Sequence, residues 1–322
     1  MTTILEVDGL EKHYGGITAV DGATFGIEEG SITGLIGPNG AGKTTTFNLI
    51  SGFEEPDGGT VRFRDEDLQD LMEPSRDERV IWGGASAITA GTIGGIAGVA
   101  GLGLGTVGGL GTLAVGAGLG AGFYAGQERV RQSREGHTNS RPFMLAREGL
   151  VRTFQITREL TEMTVLENLM LAPQGQAGEN LANTWLRRDL MEREEVAVRE
   201  QAREMLELLE LDHVSDERAG NLSGGQRKLL ELGRVLMIEP EVILLDEPVA
   251  GVNPSLTRKL MDRIETLRDE GYTFCIVEHD MEVIMNLSDT IIVMSEGDVL
   301  VEGDPEAIQE DEAVIDAYLG VD

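Results

Sequence analysis

Two stretches of this chain carry residue types that could hold and cleave a polyphosphate. Gly37-Pro38-Asn39-Gly40-Ala41-Gly42-Lys43-Thr44 fits the pattern G-x-x-x-x-G-K-[ST] in full. Glycines in such a loop let backbone N–H groups converge on phosphate oxygens, and the helix that follows aims its positive N-terminal end at the same point. Lys43 is then expected to reach the β and γ phosphates, and Thr44 to ligate Mg²⁺. The second stretch, Val242-Ile243-Leu244-Leu245-Asp246-Glu247, is an apolar run ending in two carboxylates. A buried strand of this kind delivers them at its C-terminal end, where open α/β sheets bind ligands. Asp246 is expected to hold Mg²⁺ through water, and Glu247 to polarise the attacking water as general base.

A third segment, Leu222-Ser223-Gly224-Gly225-Gln226, places a Ser and two Gly before a helical pattern that runs from Gln226 to about Glu239 and stops at Pro240. That is a second anion site at a helix N-terminus. One chain with two phosphate-recognising loops makes sense if two copies face each other and each completes the other's ATP site.

Elements able to position these residues follow from periodicity. Leu5-Glu6-Val7-Asp8, Thr24 to Glu28 and Thr60 to Arg64 alternate as half-buried strands do. Ser31 to Ile36 is a short strand running into the phosphate loop, with a helix from about Lys43 to a stop near Gly52. Ala202, Met205, Leu206 and Leu209 recur at helical spacing. Phe274–Val277 and Ile291–Met294 are continuous apolar runs like Val242–Leu245. Strands separated by helices predict an α/β fold with a largely parallel sheet.

In order, Gly37–Thr44, Gln155, Leu222–Gln226, Asp246–Glu247 and His279 resemble the ABC ATPase cassette. The resemblance implies a RecA-like P-loop core with an antiparallel β subdomain and an α-helical subdomain near 156–220. It implies that Tyr14 stacks on adenine, that the loop Gly37–Thr44 and Thr45 bind the nucleotide, and that Gln155 touches Mg²⁺ or the lytic water. It also implies that His279 contacts the γ-phosphate and that Ser223, Gly224, Gly225 and Gln226 serve the ATP of a second cassette. Further motifs narrow the likeness: Gly15-Gly16-Ile17-Thr18-Ala19-Val20, Arg152-Thr153-Phe154-Gln155, Met163 to Asn168, Glu247 to Pro254, Val277 to Met281 and Ala317-Tyr318-Leu319-Gly320 look like branched-chain amino acid importer ATPases. Asn253, where many cassettes carry Asp, is read as a mark of that subfamily. The implied partners are transmembrane permease subunits, a second ATP-binding subunit and, indirectly, an extracytoplasmic solute-binding protein. A lipid or lipopolysaccharide exporter ATPase is the near alternative, and a non-transport ABC ATPase the distant one.

Composition constrains the setting. Asp and Glu number 57 against 26 Lys and Arg, a formal net charge of -31. A surface so acidic argues against nucleic acid as a partner, because phosphate binding needs clustered positive charge. Such self-repulsion is tolerable where salt screens it, so a high-salt cytoplasm is expected. Cys275, the one cysteine, reads as a buried small hydrophobe and excludes an intrachain disulfide. The N-terminus shows no signal-peptide pattern, so the cytoplasmic face of the membrane is the expected location.

From 80 to 126 the chain has no Asp, Glu, Lys or Arg and is rich in small-xxx-small pairs such as Gly91/Gly95 and Gly101/Gly105. The expected organisation is therefore a core in pieces, 1–79, 141–155 and 221–322, with a helical subdomain at 156–220 and an insertion at 80–140. A helical hairpin that dips into the bilayer or packs on permease helices is the expectation for 80–126. A hairpin packed on the cassette or a Gly-rich segment without a role are the alternatives.

Overall fold

The computed structural model describes residues 2–72, 142–153, 160–174, 176 and 188–319. They belong to the compact unit formed by Met1–Met72 with Ser140–Asp322. The run 80–126 with its expected hairpin, and Gln155, lie outside the described residues.

Period-2 alternation builds the first sheet. The chain enters as β1 (Thr3–Tyr14) and β2 (Ile17–Glu28), crosses as β3 (Ile32–Ile36) into a second sheet, and returns as β4 (Gly58–Phe63) and β5 (Glu66–Asp67). The antiparallel order is β2-β1-β4-β5. Leu5, Val7 and Leu10 of β1 are buried while Glu6 faces water, and across the ladder Val7 meets Phe25 and Val61.

Continuous apolar runs build the second sheet. It contains β3, β6 (Leu150–Arg152), β7 (Val242–Asp246), β8 (Thr273–Val277), β9 (Thr290–Ser295) and β10 (Asp298–Gly303), in the order β10-β9-β3-β8-β7-β6. All neighbours pair in parallel except the edge pair β9/β10. Every residue of β3, β7 and β8 is buried, as expected for strands covered on both faces. Alternate residues feed two cores: Ile243, Leu245 and Ile276 go to one, Val242, Leu244, Cys275 and Val277 to the other. Cys275 is fully buried, and burial pushes its thiol up to about 12. It is the small core hydrophobe expected.

Six helices matter for the site: α1 (Lys43–Ile50), α2 (Val165–Met170), α3 (Arg188–Leu208), α4 (Gly224–Leu236), α5 (Pro254–Asp269) and α6 (Met281–Leu287). The periodic residues Ala202, Leu206 and Leu209 are buried as their spacing predicts. Gly233 of α4 lets α2 and the end of α3 close in, because a Cβ there would lie 2.7 Å from Leu209 and 3.0 Å from Leu169. Helix α4 begins two residues before the predicted Gln226, since Ser223 caps it, and ends at Leu236 because Glu239 turns left-handed (φ 56°) before Pro240.

Parallel pairing has a direct consequence. β3 leads into the phosphate loop, β7 carries Asp246, and β8 lies between them and leads to His279. All three strands point the same way, so all three loops emerge on one edge of the sheet.

Candidate functional site

The phosphate loop is held by backbone geometry that only glycine fits. Gly37 sits at φ 151° and Gly42 at φ 95°. A Cβ on Gly37 would lie 2.2 Å from the Met294 carbonyl oxygen, and one on Gly42 would lie 2.4 Å from that of Ala19. Gly40 (φ 84°) and Asn39 stand exposed at the tip, with Pro38 half-buried and Ala41 tucked underneath. Helix α1 starts from Gly42 with no side-chain cap and no acidic residue in its first turn. Its first amides are thus left for an outside acceptor.

Lys43 is buried, and its ammonium donates to the carbonyls of Gly37 (2.7 Å) and Pro38 (3.0 Å). Burial lowers its pKa, and the nearby Glu247 charge partly opposes that shift. A lysine whose charge is opposed by desolvation, at the mouth of an uncapped helix, fits a polyphosphate: an anion there favours the charged form. Thr44 is exposed and Thr45 half-exposed on the first turn.

The carboxylates stand beside this loop. Asp246 is the last residue of β7 and is buried. Its Oδ2 accepts from the Arg152 guanidinium at 2.8 Å, both side chains being about one-tenth exposed. Oδ1 accepts no hydrogen bond from the described residues. No group of three or more His, Cys, Asp or Glu that could hold a metal ion by itself exists among the described residues. A donor set of one hydroxyl, Thr44, and one carboxylate, Asp246, fits Mg²⁺, which keeps several waters and takes phosphate oxygens for the rest.

Glu247 adopts φ 49°, a left-handed conformation costing a non-glycine residue about 1–3 kcal/mol. Its amide extends the β7–β8 ladder by donating to Val277 (2.9 Å), which turns the side chain out of the sheet. There Glu247 Oε1 meets His279 Nε2 at 3.0 Å. The structure thus joins two candidate catalytic residues from separate strand ends. Neighbouring Glu278, which the sequence reading missed, is buried and accepts from the amides of Val249 (2.9 Å) and His279 (3.1 Å). Burial raises its pKa. It ties the loop after Glu247 to the His279 strand end, and only its tertiary position reveals that.

Tyr14 ends β1 with its ring half-exposed. Its hydroxyl donates to Glu54 and bonds Thr45 of α1, and partial burial together with Glu54 pushes its pKa up to about 12. The structure therefore brings Tyr14, Lys43, Thr44, Thr45, Asp246, Glu247 and His279 to one region.

Ser223 and Gln226 are arranged differently. They form a capping box: the Ser223 amide (3.0 Å) and hydroxyl (2.9 Å) both donate to Gln226 Oε1, and the Gln226 amide donates to Ser223 Oγ (3.4 Å). Gly224 is exposed. Gly225 is pressed on α5, where a Cβ would collide with Leu256 at 1.4 Å. Asn253 caps α5 by accepting from the Leu256 amide (3.1 Å), so the amide side chain does the capping work of an aspartate.

Comparison with known proteins matches this architecture. A family model described as ABC transporter matches residues 20–103 and 124–250. The chain belongs to the ABC transporter family, as an ATP-binding cassette. A second model, described as branched-chain amino acid ATP-binding cassette transporter, matches residues 299–322. The chain is 35% identical to a probable branched-chain amino acid transport ATP-binding protein, LivG, of Archaeoglobus fulgidus, over 98% of this chain and 95% of that one. It is 33% identical to the high-affinity branched-chain amino acid transport ATP-binding protein BraF of Pseudomonas aeruginosa, over 98% of both. Among solved structures, the ADP conformation of MJ1267, an ATP-binding cassette of an ABC transporter, aligns with a TM-score of 0.66 at 31% identity, over 99% of this chain and 100% of that one. No helix among the described residues is long and apolar enough to cross a membrane.

Proposed function

We propose that this chain is the ATP-hydrolysing subunit of an importer of branched-chain or related amino acids. The observation that carries the hydrolytic part is the Glu247–His279 contact of 3.0 Å at strand ends adjoining the Lys43 loop. The relatives' names and the match at 299–322 support the cargo.

The chain's residues divide the work. Amides of the Gly37–Gly42 loop and Lys43 receive the β and γ phosphates of ATP. Tyr14 stacks on adenine. Thr44 and Asp246 would hold Mg²⁺, which would offset charge on the phosphates. Glu247 accepts the proton of the attacking water, and His279 fixes its carboxylate and meets the γ-phosphate. Gln155, between β6 and the helical segment, links the site to the permease.

Ser223, Gly224 and Gly225 serve the ATP of a second cassette, so two copies, or this chain and a sister ATPase, close on two nucleotides and open after hydrolysis. That cycle switches the permease subunits between two access states. The complex works at the cytoplasmic face of the membrane and takes its solute from an extracytoplasmic binding protein. The acidic surface suits a cytoplasm rich in salt, and thermal melts should move up from low to molar KCl; a midpoint that falls with salt contradicts this.

The experiment is reconstitution of the chain with its permease partners in liposomes. Binding protein loaded with leucine, isoleucine or valine should stimulate ATP hydrolysis and drive uptake. Stimulation by a lipid substrate and none by these amino acids would overturn the cargo assignment.

A further inference from the structure

One side chain at the site has no role in the reading above. Arg152, the last residue of β6, lies at the edge of the sheet next to Asp246. Its Nη2 donates to Asp246 Oδ2 at 2.8 Å, and its Nη1 to Asn48 Oδ1 at 2.7 Å and Ser51 Oγ at 3.0 Å, both of α1 or its cap. The guanidinium carbon is 5.2 Å from the ring centre of Phe47 and 5.4 Å from that of Phe53. The two arms of the fork join α1 to Asp246, and the two aromatic rings flank it.

The chain of bonds continues beyond Asn48. With Oδ1 occupied by the guanidinium, the Asn48 amide must present Nδ2 outward, and it donates to Glu54 Oε1 at 2.7 Å. The other oxygen of Glu54 accepts from the Tyr14 hydroxyl. Tyr14, Glu54, Asn48, Arg152 and Asp246 thus form an unbroken line in which each polar group has one possible donor or acceptor sense. It runs past the C-terminal half of α1, from the residue expected on adenine to the carboxylate expected on Mg²⁺.

We propose that Arg152 is a positioning residue for Asp246, and that the line Tyr14–Glu54–Asn48–Arg152–Asp246 couples adenine binding to Mg²⁺ binding. The proposal rests on the site reading given above. Arg152 fixes Oδ2 and leaves Oδ1 for the metal's water. A ring seated on Tyr14 fixes the hydroxyl, hence Glu54 and Asn48, and so narrows the orientations open to the fork. By linkage, Mg²⁺ must tighten adenine binding by the same factor. Lysine could replace the charge of Arg152 but could not grip both α1 and Asp246 in a plane.

Equilibrium titration of the whole chain with ATP, by calorimetry in Mg²⁺ and again in EDTA, tests this without using hydrolysis. The measured quantity is the ratio of the two affinities. Arg152→Met should lower that ratio about tenfold and leave the EDTA affinity within about twofold; Arg152→Lys should recover only part of the loss. Tyr14→Phe, which keeps the ring and removes the hydroxyl, and Asn48→Ala should each lower the ratio about threefold. Combined, they should cost no more than either alone, because both cut one line. A loss of affinity equal with and without Mg²⁺ means that Arg152 is only structural and overturns the proposal. So does a wild-type ratio in Arg152→Met, or strict additivity of Tyr14→Phe and Asn48→Ala. Should Arg152→Met fail to fold in a thermal melt, Arg152→Lys and the Tyr14/Asn48 cycle decide alone. A wild-type chain that binds no ATP fails the site reading itself, a result distinct from ATP binding with an unchanged ratio.

Discussion

Two helix N-termini in this cassette lie in Gly-rich segments, and they are finished in opposite ways. Helix α1 starts from Gly42 in a left-handed conformation, with no side chain bonded to its first amides. Helix α4 starts from Ser223, whose hydroxyl and amide are tied to Gln226 in a closed capping box. The uncapped end has a buried lysine beside it; the capped end is exposed. The first therefore offers its amides and a lysine to an anion from within one chain. The second satisfies itself and gains from an anion only when one is brought to it. That difference in local hydrogen bonding suits the two-chain site proposed above, in which one half receives the nucleotide and the other closes on it.

The largest effect should come from the uncapped end. Lys43→Ala removes the buried ammonium and should weaken ATP binding at least a hundredfold in calorimetry, while the thermal midpoint changes little. Retained affinity would break the comparison at its first term. Next is Glu247→Gln, which should cut hydrolysis about 10²- to 10³-fold and leave ATP binding intact. With ATP bound it should also drive two cassettes together, visible by size-exclusion chromatography with light scattering. A strictly monomeric Glu247→Gln chain, with partner subunits present, would remove the reason for the second N-terminus.

Ser223→Ala should be milder. Loss of the cap should destabilise α4 by about 1 kcal/mol in urea unfolding. ATP binding by single chains should stay as in wild type, and hydrolysis in the assembled complex should fall about tenfold. A loss of single-chain ATP affinity would show that Ser223 acts in cis. The smallest effect concerns Glu278, whose pKa is raised chiefly by burial. A raised carboxyl pKa contributes stability at low pH, where the folded state binds the proton better. That contribution is lost as pH rises from the ordinary carboxylate range through the raised folded value. Over that interval the urea midpoint of the wild type should fall relative to that of Glu278→Gln, and an unchanged difference between the two would remove the assigned contribution.

Much of this was legible in the sequence, for reasons that differ by residue. The loop Gly37–Thr44 was readable because each required backbone angle maps onto a residue type in a contiguous stretch. Asp246 and Glu247 were readable because a five-residue buried strand can deliver its last side chains to one place only. His279 was placed by its position after an apolar run, and its partner Glu247 was supplied by parallel pairing of β7 with β8. Arg152 was not legible as a site residue. An arginine at a strand end is ordinary in a sequence, and its meaning lies in Asn48, Ser51 and Asp246, roughly a hundred positions away in either direction. Glu278 and Glu54 were missed for the same reason.

The sequence by itself determined the local conformations that glycine and apolar periodicity impose, and so the phosphate loop and the strand that ends in Asp246. Tertiary structure alone decided the order β9-β3-β8-β7-β6, the contact of Glu247 with His279, and the line of hydrogen bonds from Tyr14 to Asp246. Short-range sterics and hydrogen bonding act within a few residues and leave a mark in the sequence pattern. Pairing between distant strands buries surface from all of them at once, and a single residue type carries no record of which partner it will meet.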